Sequence, residues 1–451
     1  MPAYPNTARH SASHRAVARR HVPRRKGPII LAAGIVLIAV VVGIFVATAD
    51  TGHGHTPGVG STLGANGRVH TTAGLTAVSP AIGLRPGAFS PIARGYGPAR
   101  AAVPNLSVLQ LAGQRVIYSY RGLTPPSGLI WLIKHGEAAG VIFFAGNIGS
   151  MPPTPAQLAH FKTVVASLRA AAASPSDPVH QPLLLMTDQE GGIVRRLPGP
   201  PVLSAKQVGL AANPQAAATN AGAGARDNLH GYGLNVNLAP VLDVYRQPGN
   251  FIDQYRRSFS SNPATVAKLG TLYATSEQQG GLVAATVKHF PGLGAATRTQ
   301  NTDVRPVTLT VPLRRIRSID EVPYRPAIAA GVKLVMVSWA TYSNLDRARP
   351  AGLSATIVRG ELRRRLGFAG VTITDAVSAG ALKPFGSVGH RVTLASRAGM
   401  DLMLCAAQDY REGDAALHAL ASLYSASSPA GRAAFKAAAE RVMALRAGLP
   451  G

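Results

Sequence analysis

An apolar run, Leu282 to Val287, ends in Lys288-His289 and then turns through Phe290-Pro291-Gly292-Leu293-Gly294. A strand apolar throughout is covered on both faces, so its first charged residues mark the rim of the layers that cover it. Two further runs end in the same way. Leu183–Thr187 leads into Asp188-Gln189-Glu190-Gly191-Gly192, and Val371–Thr374 leads into Asp375-Ala376. Three polar strand ends in one chain are hard to explain as packing. They read as one site, at the face of an α/β barrel where the C-terminal strand ends and their loops converge.

The rest of the chain fits that architecture. Further buried-strand candidates are Gly140–Phe144, Leu234–Leu238, Lys333–Val337 and Asp401–Leu404. Helical patterns separate them at Pro155–Ala173, Pro214–His230, Pro263–Gln279, Tyr324–Ala330, Ile357–Leu366 and Val388–Ala398, with Val108–Ser119 and Gly128–Glu137 before the first. Apolar strands alternating with helices imply a parallel sheet covered by helices. Seven visible strands and one unseen predict a (β/α)8 TIM-type barrel, class α/β, over residues 105–451. No G-x-G-x-x-G turn follows any strand, which argues against a dinucleotide-binding fold.

Upstream, residues 1–27 form a basic tail, and residues 28–49 are apolar from Ile29 to Ala47. At about 1.5 Å per residue that run can cross a bilayer, and the preceding Arg19–Lys26 cluster orients it with the bulk of the chain outside. A transmembrane anchor is expected, with a signal peptide cut after Ala49 as the alternative. No cysteine follows the run, so a lipoprotein anchor is excluded. Residues 50–104, rich in Gly, Pro and Thr, read as a flexible tether. The expected location is the cell membrane with an extracytoplasmic domain, or secretion if the segment is cut.

The formal net charge of +26 favours a polyanionic partner such as an acidic cell-wall polymer. No nucleic-acid-binding motif accompanies it, so nucleic acid is not expected. The single Cys405 lies in an apolar run and reads as a small buried hydrophobe. The histidines show no metal-ligand spacing, so neither metal nor cofactor is expected, and the chain reads as a monomer.

At the strand ends, Asp375 follows the stiff Val-Thr-Ile-Thr segment and can approach the anomeric carbon of a sugar as nucleophile; its bland alternative is a helix cap. Asp188, Lys288 and His289 read as ligands for sugar hydroxyls, and Arg257 lies in the loop after the third visible strand. Asn237 and Asp243 could equally brace loops. Trp339 could stack on a sugar or pack in the core.

These pieces resemble glycoside hydrolase family 3, in its single-domain bacterial β-N-acetylglucosaminidase branch. The matching segments are Gly140-Val-Ile-Phe-Phe144, Asp188-Gln-Glu-Gly-Gly192, Asn235-Val-Asn-Leu-Ala-Pro-Val241 with Asp243, Arg257-Ser-Phe259, Lys288-His-Phe-Pro-Gly292, Leu366-Gly-Phe-Ala-Gly370 and Thr374-Asp-Ala376. The resemblance implies retaining hydrolysis of a terminal β-linked sugar, typically N-acetylglucosamine, here most plausibly from wall fragments. It implies Asp375 as nucleophile, with Asp188, Arg257, Lys288 and His289 holding the sugar.

One departure matters. The family branch continues as Lys-His-Phe-Pro-Gly-His-Gly and then carries Asp-Ser/Thr-His on a mobile loop, which supplies the acid/base. Here position 293 is Leu, Thr299-Gln300-Asn301 stand where that triplet would lie, and no histidine occurs between His289 and His390. Retaining hydrolysis needs a second group to protonate the leaving oxygen. Asp303 is the nearest carboxylate on the loop and the expected surrogate, with Glu190 and Asp320 behind it; alternatively Asp303 only pins the loop through Arg298 or Arg305. The competing readings are a glycan-binding pseudoenzyme that kept the pocket and lost turnover, and, more remotely, a barrel lyase or aldolase using Lys288 as a Schiff base.

Overall fold

The structure, a computed structural model, describes residues 105–451. Eight parallel strands close into a barrel: β1 Val116–Tyr118, β2 Gly140–Ile142, β3 Leu184–Thr187, β4 Val236–Asn237, β5 Ala284–Phe290, β6 Leu334–Val337, β7 Val371–Ala376 and β8 Leu402–Leu404. Each strand pairs with its sequence neighbours, and closure comes from Val116 and Ile117 of β1 lying opposite Met403 and Leu404 of β8. Alternation along the strands sorts the apolar side chains into two sets. Leu184 and Met186 join Ile117, Ile142, Val236, Leu334, Ile373 and Leu402 in a cluster drawn from all eight strands, which fills the barrel. Leu183 and Leu185, one residue out of phase, join the larger cluster between strands and helices.

The unseen eighth strand is β1. The segment expected to be helical over Val108–Ser119 is a helix only at Val108–Gly113, and Val116–Tyr118 is extended. Gly113 marks the change, because a Cβ there would lie 2.4 Å from the Glu137 carbonyl carbon. The longer helices start where a capping residue precedes proline. Thr154, Asn213, Asn262 and Ser428 each accept a first-turn N–H through the side chain, with Pro155, Pro214, Pro263 and Pro429 at the first helical position.

The N-terminal end of the barrel is sealed. Val442, Leu445 and Leu449, from the C-terminal helix Pro429–Ala447 and just beyond it, join the barrel-filling cluster. Arg446 donates to the Gln181 and Pro182 carbonyls, and Asn235 donates to the Pro450 carbonyl. Beside this plug, Asp401 is fully buried and accepts from Arg363 at 2.5 Å, Arg441 at 2.7 Å and the Thr372 amide at 2.8 Å. The opposite, C-terminal end is left for chemistry.

The membrane part of the expected architecture is corrected. Among the described residues no helix is long and apolar enough to cross a membrane. Residues 28–49, where the anchor was expected, and the tether at 50–104 lie outside the described residues.

Candidate active site

Two strand ends are bent by irregular register. Between β5 and β6 the pairing shifts between Val287 and Phe290, and between β7 and β8 it shifts between Ile373 and Ala376. Such irregularities re-aim side chains. The first contains Lys288 and His289, joined by a cis peptide bond, and the second contains Asp375.

Lys288 is only 2% exposed, and its Nζ lies 2.7 Å from Asp188 Oδ1 and 2.8 Å from Glu190 Oε1. Glu190 in turn accepts both arms of Arg257, Nε and Nη2 each donating at 2.8 Å. Arg196 stands 3.9 Å from the other Asp188 oxygen. Burial opposes every charge in this cluster, and mutual attraction outweighs it. The Asp188 and Glu190 carboxyls are therefore held below the ordinary carboxylate range, and the Lys288 ammonium and Arg257 guanidinium above theirs.

A short hairpin, Gln189–Gly191 against Val194–Arg195, carries Glu190. Asn237 clamps its base, accepting from the Gln189 amide at 3.0 Å and donating to the Gln189 carbonyl at 3.1 Å and to Glu277 at 2.6 Å. Gly191, at φ +102°, has the Leu203 carbonyl oxygen 2.2 Å from where a Cβ would sit, so only glycine fits. His289 is fixed by Asp243: its Nδ1–H donates to Oδ2 at 2.7 Å, a tautomer assigned from this partner, leaving Nε2 3.4 Å from Arg257 Nη2. The other Asp243 oxygen accepts from the Leu293 amide at 2.7 Å, which locks the turn. Asn237 and Asp243 are thus braces.

Asp375 is half-buried at the end of β7, and its Oδ1 accepts from the Ala376 amide at 2.7 Å. Trp339 is buried, and its indole N–H donates to the Ala376 carbonyl at 2.8 Å. Trp339 therefore props the aspartate from behind and offers no face to a sugar.

The loop from Leu293 reaches over the mouth and fastens to the segment after Asp375. The Asp303 carbonyl accepts from Gly380 at 2.7 Å and the Thr302 carbonyl from Ala381 at 2.9 Å. Asp303 is exposed to solvent as a residue, and its carboxyl feels Asp375, Arg257, His289 and Asp188. Desolvation first, and then the Asp375 carboxylate, push it up to about 6. Arg305 does not pair with it but donates to the Thr299 carbonyl. Glu190, neutralised by two cations, has no proton to give. Asp320 is buried against Gly292 and paired with Arg246 at 2.6 Å.

The structure thus brings Asp188, Arg257, Lys288 and His289 into one hydrogen-bonded cluster and sets Asp303 within electrostatic reach of Asp375. Sequence reasoning passed over Arg196 and the double anchoring by Glu190, for which only the hairpin spacing was a signal. Among the described residues no group of three or more His, Cys, Asp or Glu could hold a metal ion. Cys405 is buried, and burial raises its thiol well above the ordinary range.

Comparison with known proteins adds the lineage. Residues 127–445 match the glycosyl hydrolase family 3 N-terminal domain. A protein described as an uncharacterized secreted glycosyl hydrolase, from Arthroderma benhamiae, is 47% identical over 304 residues, covering 67% of this chain and 83% of that protein. The β-N-acetylhexosaminidase of Beutenbergia cavernae superposes with a TM-score of 0.66 at 32% identity, covering 76% of this chain and 99% of that one. A family 3 β-N-acetylglucosaminidase from Paenibacillus gives a TM-score of 0.67 at 32% identity, covering 76% of this chain, which spans 62% of that structure. The relative described as secreted also stands against the expected location at the cell membrane and against the membrane as a partner.

Proposed function

The chain belongs to glycosyl hydrolase family 3, and from that premise we propose that it is a retaining glycosidase. It removes terminal β-linked sugars, N-acetylglucosamine foremost, outside the cytoplasm and in secreted form. The observation that carries the reading is the convergence on one barrel mouth of a half-buried strand-end carboxylate, Asp375, and the loop carboxyl of Asp303, whose loop is fastened to the segment after Asp375 and which feels that carboxylate. Two carboxyl groups whose environments separate their roles are what double displacement requires.

In this mechanism Asp188, Lys288, Arg257 and His289 present charged and polar atoms to the sugar hydroxyls, and Glu190 keeps the two cations in place. Asp375 attacks the anomeric carbon, and Asp303 gives its proton to the departing oxygen. The glycosyl ester on Asp375 is then hydrolysed by water that Asp303, now a base, deprotonates. The products carry the same anomeric configuration as the substrate.

A second reading, a sugar-binding protein without turnover, is favoured by the lack of any histidine between His289 and His390. Proton NMR during hydrolysis of para-nitrophenyl N-acetyl-β-glucosaminide separates the two. Initial release of the β-anomer, abolished by Asp375→Ala, supports the glycosidase; saturable binding without release supports the binder.

A further inference from the structure

The described residues expose nine large apolar side chains, and seven of them lie in loops that follow barrel strands at the catalytic end. One follows β1, one follows β2, four follow β3 and one follows β5. None lies in a loop at the sealed end. Single exposed apolar residues are ordinary, but clustering at one rim marks a binding surface.

Three of them are neighbours. Ile193 is 60% exposed at the tip of the hairpin that carries Glu190, and the Gly192 amide donates to the Val202 carbonyl at 3.1 Å. That bond sets Ile193 beside Val202, 63% exposed, and Leu203, 43% exposed. On another loop, Val304 directly follows Asp303 and is 64% exposed. Its backbone is pressed onto Gly380, where a Cβ would lie 2.0 Å from the Val304 oxygen. The acid must stand beside the leaving oxygen, so the departing group passes Val304. In the proposed mechanism the sugar is held by Asp188 and Lys288, and the hairpin that begins directly after Asp188 carries the Ile193 lip.

Resting on the glycosidase reading, we infer that the leaving group this site selects is apolar, an alkyl or aryl aglycone rather than a second sugar. Ile193, Val202, Leu203 and Val304 offer area to a hydrocarbon and no side-chain hydrogen-bond partner to a hydroxylated ring.

The test uses methyl, butyl and octyl N-acetyl-β-glucosaminides, whose leaving alcohols have similar acidity, beside chitobiose and para-nitrophenyl and naphthyl glycosides. Complete burial of one methylene corresponds to about 0.8 kcal/mol, roughly fourfold. On a partly open rim, kcat/KM for the octyl glycoside is expected at least about tenfold above the methyl glycoside and above chitobiose. Ile193→Ser and Val304→Ser flatten the series by lowering the octyl glycoside several-fold more than the methyl glycoside. A preference for naphthyl over nitrophenyl without an alkyl trend narrows the aglycone to aryl groups. A flat alkyl series with no preference for naphthyl over nitrophenyl, or chitobiose as the better substrate, overturns the inference. Binding of the matching thioglycosides is measured by calorimetry alongside. Affinity that rises with chain length in the absence of turnover defeats the glycosidase reading and leaves the apolar rim standing; flat affinity defeats the rim whatever the turnover.

Discussion

In the proposed mechanism Asp303 is the proton donor, and that role has a measurable signature. A general acid works only while protonated, so its active fraction falls as pH rises through its pKa. With that value near 6, kcat/KM for an alkyl glycoside should decline above pH 6. Asp303→Asn should lower that parameter by about 10²–10⁴-fold and abolish the decline. A nitrophenyl glycoside, whose leaving group needs little protonation, should lose less than about tenfold. An equal loss for both substrates would assign Asp303 to loop structure alone. Glu190 answers a different question. Replacing it by Gln leaves Lys288 with one carboxylate and Arg257 with none. Breaking a buried pair of this kind costs about 3–5 kcal/mol, readable by urea unfolding, and the loss of anchored cations should raise KM.

Among elements, the loop 293–305 is held to the strand-β7 side by the Gly380 and Ala381 amides. Gly380→Ala would drive a Cβ into the Val304 carbonyl and lift the acid from the mouth while leaving the sugar cluster intact. The expected outcome is a fall in kcat of about tenfold or more, with the inhibition constant of free N-acetylglucosamine within about threefold of the parent. A matching loss of sugar affinity would contradict this division of labour. The elements also explain what could be read in advance. Strands β2 to β8 announce themselves as apolar runs, and β3, β5 and β7 do so also by the polar residues that close them. Strand β1 is three residues long and only Gln114 and Arg115 separate it from the preceding helix, so periodicity carried the helix through it. Asp188, Lys288 and His289 were visible as strand ends, and Arg257 as a residue of the loop after the third visible strand. The reciprocal grip of Asn237 and Asp243, the propping by Trp339 and the apolar lip depend on the hairpin and on turns whose partners are far away in sequence.

For the whole molecule, acidity is the shared variable. Burial raises Asp320 and Glu412 to about 7 and lifts Glu277 well above its ordinary value. A carboxyl with a raised folded-state pKa contributes stability that is complete below the unfolded value and lost as pH climbs through the folded one. Asp188, Glu190 and Asp401 have lowered values and act in the opposite sense, contributing fully above about pH 4 and losing that contribution only in stronger acid. The two sets together place maximal stability on the mildly acidic side. The melting temperature at pH 5.5 should exceed that at pH 8 by roughly 5 °C or more, and a higher value at pH 8 would contradict the assignment. Fold and acid/base group would then favour the same conditions. The account as a whole rests on a covalent bond between sugar and Asp375. Incubation with a fluorinated N-acetylglucosaminyl donor that forms the intermediate but hydrolyses slowly, followed by intact mass and peptide mapping, tests it directly. The account predicts one added glycosyl mass, on the peptide containing Asp375; an adduct on another residue, or none while the sugar still binds, would contradict it.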